Sequence, residues 1–311
     1  MPDKAKKQKL SIDEANKISE FVSSGPIFAW GAINPEASKK LLKQLSTDGK
    51  NPDEKIEIDI NAHAVSGKQL GRLGESLLHM AAMVGDKDNV ELMLKIGANP
   101  NEIDENRYNA LHLAAQIGQD KVVSKLIEAG TSVRHSTNQK DKPIDLAQDH
   151  PRTYLMIKDA EKFDNILGKC LDDLNDENFD KLKESLTEEK GENSFNKHDR
   201  LASRIGIKYQ NAKADDKFKL QKLFNSVLDD KELREGFVKA LDKIEPMQQN
   251  SDNYSLEKME WQRNMQKSPN FAENIKMTAP VLPKRIKGYL ESGLSDFSSR
   301  LSSEEAKTLV R

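Results

Sequence analysis

Gly74-Glu75-Ser76-Leu77-Leu78-His79-Met80-Ala81-Ala82-Met83-Val84-Gly85 returns 33 residues later as Arg107-Tyr108-Asn109-Ala110-Leu111-His112-Leu113-Ala114-Ala115-Gln116-Ile117-Gly118. The second half of the unit keeps the same offset, with Val90, Leu92 and Gly97-Ala98 answered by Val123, Lys125 and Gly130-Thr131. A period of this length marks a solenoid, in which each unit buries its apolar face only by stacking on its neighbours. Solenoids present extended surfaces to other macromolecules.

Within each unit the apolar positions Leu78, Ala81 and Ala82, then Leu111, Ala114 and Ala115, follow helical spacing. Ser76 and Asn109 precede these runs and suit an N-cap, where a side-chain oxygen accepts a free backbone N–H. Gly85 and Gly118 close the first helix, and Gly97 and Gly130 the second. The second helix carries Val90, Leu92 and Leu94, then Val122, Val123, Leu126 and Ile127. Residues 98–106 are rich in turn-formers and predict an extended, hairpin-like finger.

These residues resemble the ankyrin repeat, whose pattern runs Asp-x-x-Gly-x-Thr-Pro-Leu-His-x-Ala-Ala, Gly, two helices and Gly-Ala. The match lies at Leu78-His79-x-Ala81-Ala82 and Leu111-His112-x-Ala114-Ala115. The Thr-Pro pair is replaced by Ser76-Leu77 and Asn109-Ala110, and Arg107 stands at the family's turn glycine, which predicts a different conformation for that finger. A third, worn unit begins at Lys142-Pro143-Ile144-Asp145-Leu146-Ala147, with Asp145 in the histidine position. Its second helix is expected over 151–159, with proline in the first turn. Upstream, residues 35–45 read as an amphipathic helix, 46–55 as a polar loop, and Ile60-Asn61-Ala62 as the tail of a degenerate capping unit.

The expected fold is all-α: a helical N-terminal extension and cap (1–69), an ankyrin solenoid (70–160) and a C-terminal helical bundle with a flexible tail (161–311). The bundle follows from helical spacing at Phe179, Leu182 and Leu186, at Phe218, Leu223, Phe224, Val227 and Leu228, and at Leu233, Phe237, Val238, Leu241 and Ile244. It is expected to pack on the last repeat. Residues 191–196 and 245–255 read as loops and 270–283 as irregular, with final helices over 284–301 and 304–310.

The formal net charge of −2 gives no global electrostatic case for nucleic acid or an anionic membrane. The single cysteine, Cys170, lies on the apolar stripe of Phe163, Ile166, Leu167, Leu171 and Leu174 and reads as a buried, inert thiol. No secretory signal or membrane span is expected. Residues 21–33 are apolar but short and are broken by Gly25, Pro26 and Gly31. The features point to a cytoplasmic protein.

His79 and His112 lack the companions of a metal site, and the family resemblance implies that they bond to neighbouring backbone and stitch the repeats together. Gly71-Arg72-Leu73-Gly74 falls where a finger turn belongs and lacks the Lys-Ser/Thr of a phosphate loop. His198-Asp199-Arg200 reads as a charged helix surface, and Lys284, Arg285 and Lys287 as a solvated basic face. No catalytic residue, metal site or cofactor is expected.

The resemblance places ligand-facing positions in the fingers and in the two residues before the inter-helix glycine. These are Leu70, Arg72, Leu73, Glu75, Met83 and Val84 in the first unit, and Ile103, Glu105, Asn106, Tyr108, Gln116 and Ile117 in the second. The third offers Asn138, Gln139 and Asp141, with Ser136, Asp149 and His150. Leu73, Met83, Val84, Tyr108 and Ile117 are apolar where solvent is expected, which predicts an interaction patch.

The expectation is a non-enzymatic scaffold that grips a protein partner. Lysine far outnumbers arginine, 38 to 11, and the tail over 292–311 is small, polar and acidic at Glu304-Glu305. That tail resembles type IV secretion signals, which implies a bacterial effector delivered into a host cytoplasm to bind a eukaryotic protein. The alternative is an enzyme whose helical C-terminal domain acts on substrate recruited by the repeats.

Overall fold

The computed structural model describes residues 8–23, 35–50, 54–61, 74–188, 194–211 and 214–248. Among these residues the chain forms twelve helices and one two-stranded sheet. Leu70, Arg72 and Leu73, the Lys284-Arg285-Lys287 cluster, and the elements expected over 270–283, 284–301 and 304–310 lie outside the described residues.

The N-terminal unit is not purely helical. β1 (Gln8–Leu10) pairs antiparallel with β2 (Ile56–Ile58), Lys9 facing Glu57. Three-residue strands carry too little alternation to declare themselves in a sequence. Between them stand α1 (Ile12–Ser23) and α2 (Pro35–Leu45). Ser11 and Glu14 form a reciprocal cap that starts α1: Ser11 N–H donates to Glu14 Oε2 at 2.9 Å, and Glu14 N–H donates to Ser11 Oγ at 3.3 Å. The buried face of α1 (Ala15, Ile18, Phe21, Val22) joins the continuous core, and α1 packs on α2 and on the first repeat.

Three helix pairs form the solenoid: α3 (Leu77–Val84) with α4 (Lys87–Lys95), α5 (Ala110–Ile117) with α6 (Asp120–Glu128), and α7 (Pro143–Leu146) with α8 (Pro151–Asp172). The inner helices α3, α5 and α7 stack in one row and the outer helices α4, α6 and α8 in another. Ala81, Ala82, Ala114 and Ala115 are fully buried, and their small side chains let adjacent inner helices approach closely.

The fingers keep one conformation. Tyr108 carbonyl accepts from Asp104 N–H at 2.9 Å, and Asp141 carbonyl accepts from Thr137 N–H at 3.0 Å, one period later. Gly74, Arg107 and Lys140 all have positive φ, at 81°, 65° and 72°. The finger of Arg107 therefore does not depart from the pattern. Its turn imposes the left-handed conformation on a side chain that disfavours it, and the surrounding hydrogen bonds hold it there.

The second helix of the third unit does not stop near Asp159. It runs unbroken to Asp172, because Ala160, Phe163, Leu167 and Cys170 prolong the buried stripe. Burial pushes the Cys170 thiol up to about 11, so it stays protonated and inert. After α8 come α9 (Asp176–Thr187), α10 (Lys197–Asn211), α11 (Ala214–Asp229) and α12 (Lys231–Gln248). α12 passes the expected stop at Glu245, since Pro246 forfeits only one backbone bond in the last turn.

These helices do more than cover the last repeat. α10 packs on α6, α11 on α8, and α12 reaches α4. The C-terminal bundle thus lies along the outer row of the solenoid. At its centre the His198-Asp199-Arg200 tripeptide is not a surface: Asp199 is buried and Arg200 has no exposure. Arg200 grips Asp164 with two hydrogen bonds, at 2.9 and 2.7 Å, and donates to the carbonyl of Ile127 at 2.7 Å and of Thr131 at 3.3 Å. One guanidinium so ties α10 to α8 and caps the negative end of α6.

Candidate partner-binding surface

The inner helices show which side chains the stacking leaves free. In α5 the first six residues are buried and the last two, Gln116 and Ile117, are exposed. In α3 the first six are buried and Met83 and Val84 are half-buried. Each helix ends where left-handed Gly85 or Gly118 turns the chain outward, so these two positions project beyond the packed row. Ile117, 44% exposed, is one of two large apolar side chains standing out into solvent among the described residues.

The fingers supply the second border. Glu105, Asn138 and Gln139 are exposed, while Ile103, Asn106, Ser136 and Asp141 are half-buried. Asn138 joins consecutive fingers, its N–H donating to the Asn106 carbonyl at 3.0 Å and its amide to the Glu105 carbonyl at 3.2 Å. Two expected contact residues are not at the surface. Glu75 is 2% exposed and Tyr108 is 8% exposed. The Tyr108 ring packs 5.5 Å from that of His112 and its hydroxyl reaches Gln139 at 3.5 Å, so it fills the space between fingers. Asp149 is exposed, but His150 is partly spent on packing: its ring covers Gly118 and its Nε2 meets the Gln116 carbonyl at 3.1 Å.

Beneath the fingers runs a histidine ladder. Nδ1 of His79 accepts from Ser76 N–H at 3.2 Å, and Nε2 donates to the Tyr108 carbonyl at 3.0 Å. Nδ1 of His112 accepts from Asn109 N–H at 3.1 Å, and Nε2 donates to the His135 carbonyl at 3.1 Å. For His79 an N–H on one nitrogen and a carbonyl on the other fit a neutral ring with its proton on Nε2. At His112 Asn109 Oδ1 also stands 2.7 Å from Nδ1, and burial is what keeps that ring neutral. In the third unit Asp145 accepts from Lys142 N–H at 2.8 Å but, as a carboxylate, has no proton to pass on, so the ladder ends there.

Burial, with a smaller contribution from His135, lowers the His112 pKa from 6.5 to about 4. Burial and Arg107 also lower that of His135. A depressed folded pKa gives stability that is complete above pH 6.5 and is lost as pH falls towards 4. For His112 this amounts to about 3 kcal/mol. Urea unfolding should therefore show the midpoint falling from pH 7 to pH 5. His112→Asn should be less stable at pH 7, with a flatter pH dependence; parallel curves would contradict the neutral ladder.

Among the described residues no group of three or more His, Cys, Asp or Glu side chains is arranged to hold a metal. The groove side offers apolar, amide and carboxylate groups suited to contact.

The family profile described as ankyrin repeats (3 copies) matches residues 32–147, which takes in α2 as well as the units from α3 to α7. Residues 32–147 are ankyrin repeats. Three curated relatives share them. The chain is 30% identical over 93 residues to protein phosphatase 1 regulatory subunit 27 of Mus musculus, covering 30% of this chain and 60% of that one. It is 40% identical over 68 residues to a probable palmitoyltransferase of Saccharomyces uvarum, covering 22% of this chain and 9% of that one. It is 41% identical over 56 residues to a nuclear factor NF-kappa-B subunit of Gallus gallus, covering 18% and 6%. The chain thus spans less than a tenth of two of these relatives and 60% of the third. Ankyrin repeats support a protein-interaction scaffold. No described helix is long and apolar enough to cross a membrane.

Gln119 has no place in the sequence analysis, and Arg200 is read there as part of a charged surface although it is buried. Gln119 covers Gly85 as His150 covers Gly118, and the only signal is a polar side chain following each inter-helix glycine by about one period. No local pattern marks Arg200, whose partner Asp164 lies 36 residues away.

Proposed function

We propose that this protein is a non-catalytic scaffold that grips a protein partner between the ankyrin fingers and the ends of the inner helices. One observation carries the reading: the described C-terminal helices pack along the outer row, while the repeated positions 83–84 and 116–117 and the finger tips lie on the inner side. The contact set is Met83, Val84, Ile103, Glu105, Asn106, Gln116, Ile117, Asn138, Gln139 and Asp141, with Ile117 as the apolar centre. A partner from a eukaryotic host, met by a bacterial effector, is the finer form of this proposal. It is supported by the excess of lysine over arginine and by the tail's composition.

The test is affinity capture from eukaryotic lysate with the full chain and with Ile117→Arg/Gln139→Arg. Both side chains are exposed, so the variant should melt within a degree or two of the parent. A partner lost only with the variant is the expected result. An unchanged partner set would overturn the groove reading. Tyr108 is unsuitable for this test, because its truncation leaves a hole between fingers.

A further inference from the structure

α8 exposes a cationic stripe. Lys158, Lys162 and Lys169 are exposed along one face, spanning about 16 Å at 1.5 Å per residue. The neighbouring α9 exposes the opposite charge at Asp176, Asp180 and Glu184, one turn apart and about 12 Å long. Local contacts take up part of the cationic charge: Lys158 lies over the Tyr154 ring, 5.8 Å from its centroid, and Lys169 acts electrostatically on Glu177. Lys181 is committed to Glu177 and Lys183 to Asp230 and Glu232. Lys162 has Glu188 at 3.8 Å. Among the described residues no cation forms an ion pair with Asp176, Asp180 or Glu184, and no carboxylate with Lys158 or Lys169.

We propose that the α8–α9 hairpin is a self-association surface, on which the lysine stripe of one copy meets the carboxylate stripe of a second copy. α8 and α9 pack side by side, so a two-fold axis between hairpins sets each α8 against the other copy's α9 and forms both contacts at once. The near-neutral net charge of −2 leaves little overall repulsion to oppose the approach. The pairing is between solvated charges, so the dimer is weak and sensitive to salt. It leaves the groove side free and is independent of the scaffold reading.

Sedimentation velocity of the full chain over a concentration series is the test. At low salt the sedimentation coefficient should rise with concentration, and high salt should weaken association by about tenfold. Lys158→Glu/Lys162→Glu/Lys169→Glu and Asp176→Lys/Asp180→Lys/Glu184→Lys should each remain monomeric, because like charges then face each other. Mixed in equal amounts they should regain the dimer. A full chain that stays monomeric at low salt, or a dimer that survives both reversals, would overturn the proposal. So would loss of the dimer in both variants without recovery in the mixture, since circular dichroism checks that each is folded.

Discussion

Arg200→Met should destabilise the fold by about 3–5 kcal/mol, a large fraction of the stability of a typical domain. The guanidinium has no exposure, and Asp164, with 8% of its side chain accessible, loses both of its close hydrogen bonds when the arginine goes. Arg204, at 3.7 Å, is too far to replace them. The carbonyls of Ile127 and Thr131 at the end of α6 lose a donor at the same time. The expensive species is the stranded carboxylate, not the missing bridge. Arg200→Met/Asp164→Leu should therefore recover much of the lost stability, as apolar pairs can replace buried ion pairs at small net cost. Chemical denaturation of the two variants decides it. A single variant as stable as the parent would show that Arg200 is not the tie between bundle and solenoid, and one no less stable than the double would show that the stranded carboxylate is not what costs.

Ala115→Asp should leave no folded solenoid at ordinary temperature. Ala115 is fully buried on α5, whose neighbours in the inner row are α3 and α7. A carboxylate there has neither room nor partner. Burying an unpaired charge, added to overpacking, exceeds the stability that a few repeats can supply. Gln116→Asp, one residue on, alters an exposed position and should leave unfolding almost unchanged. The contrast between neighbouring residues tests the register of the repeat directly. Circular dichroism and a thermal melt suffice, and a cooperative melt for Ala115→Asp near that of the parent would contradict the packing.

The solenoid was legible because its rules are local and stated twice. A helix of eight residues, a left-handed glycine and a histidine at the third helical position recur at one offset, so each copy checks the other. What was not legible depends on distant partners. Tyr108 looks like an exposed aromatic until the finger after it supplies Gln139 and the helix that follows it supplies His112. Arg200 looks like a surface charge until Asp164 and the end of α6 close around it. Arg107 at the turn-glycine position predicts a different finger, but backbone hydrogen bonds outweigh the small strain of a left-handed arginine. The length of α8 was hidden because the repeat period ends while the helical period continues.

The direct test of which face meets the partner is photo-crosslinking in eukaryotic lysate from two single sites, Ile117 on the inner row and Glu235 on the bundle behind it. Both are exposed. A covalent adduct formed from position 117 and absent from position 235 is the predicted result. An adduct formed from position 235 alone would place the partner on the C-terminal helices and contradict the groove.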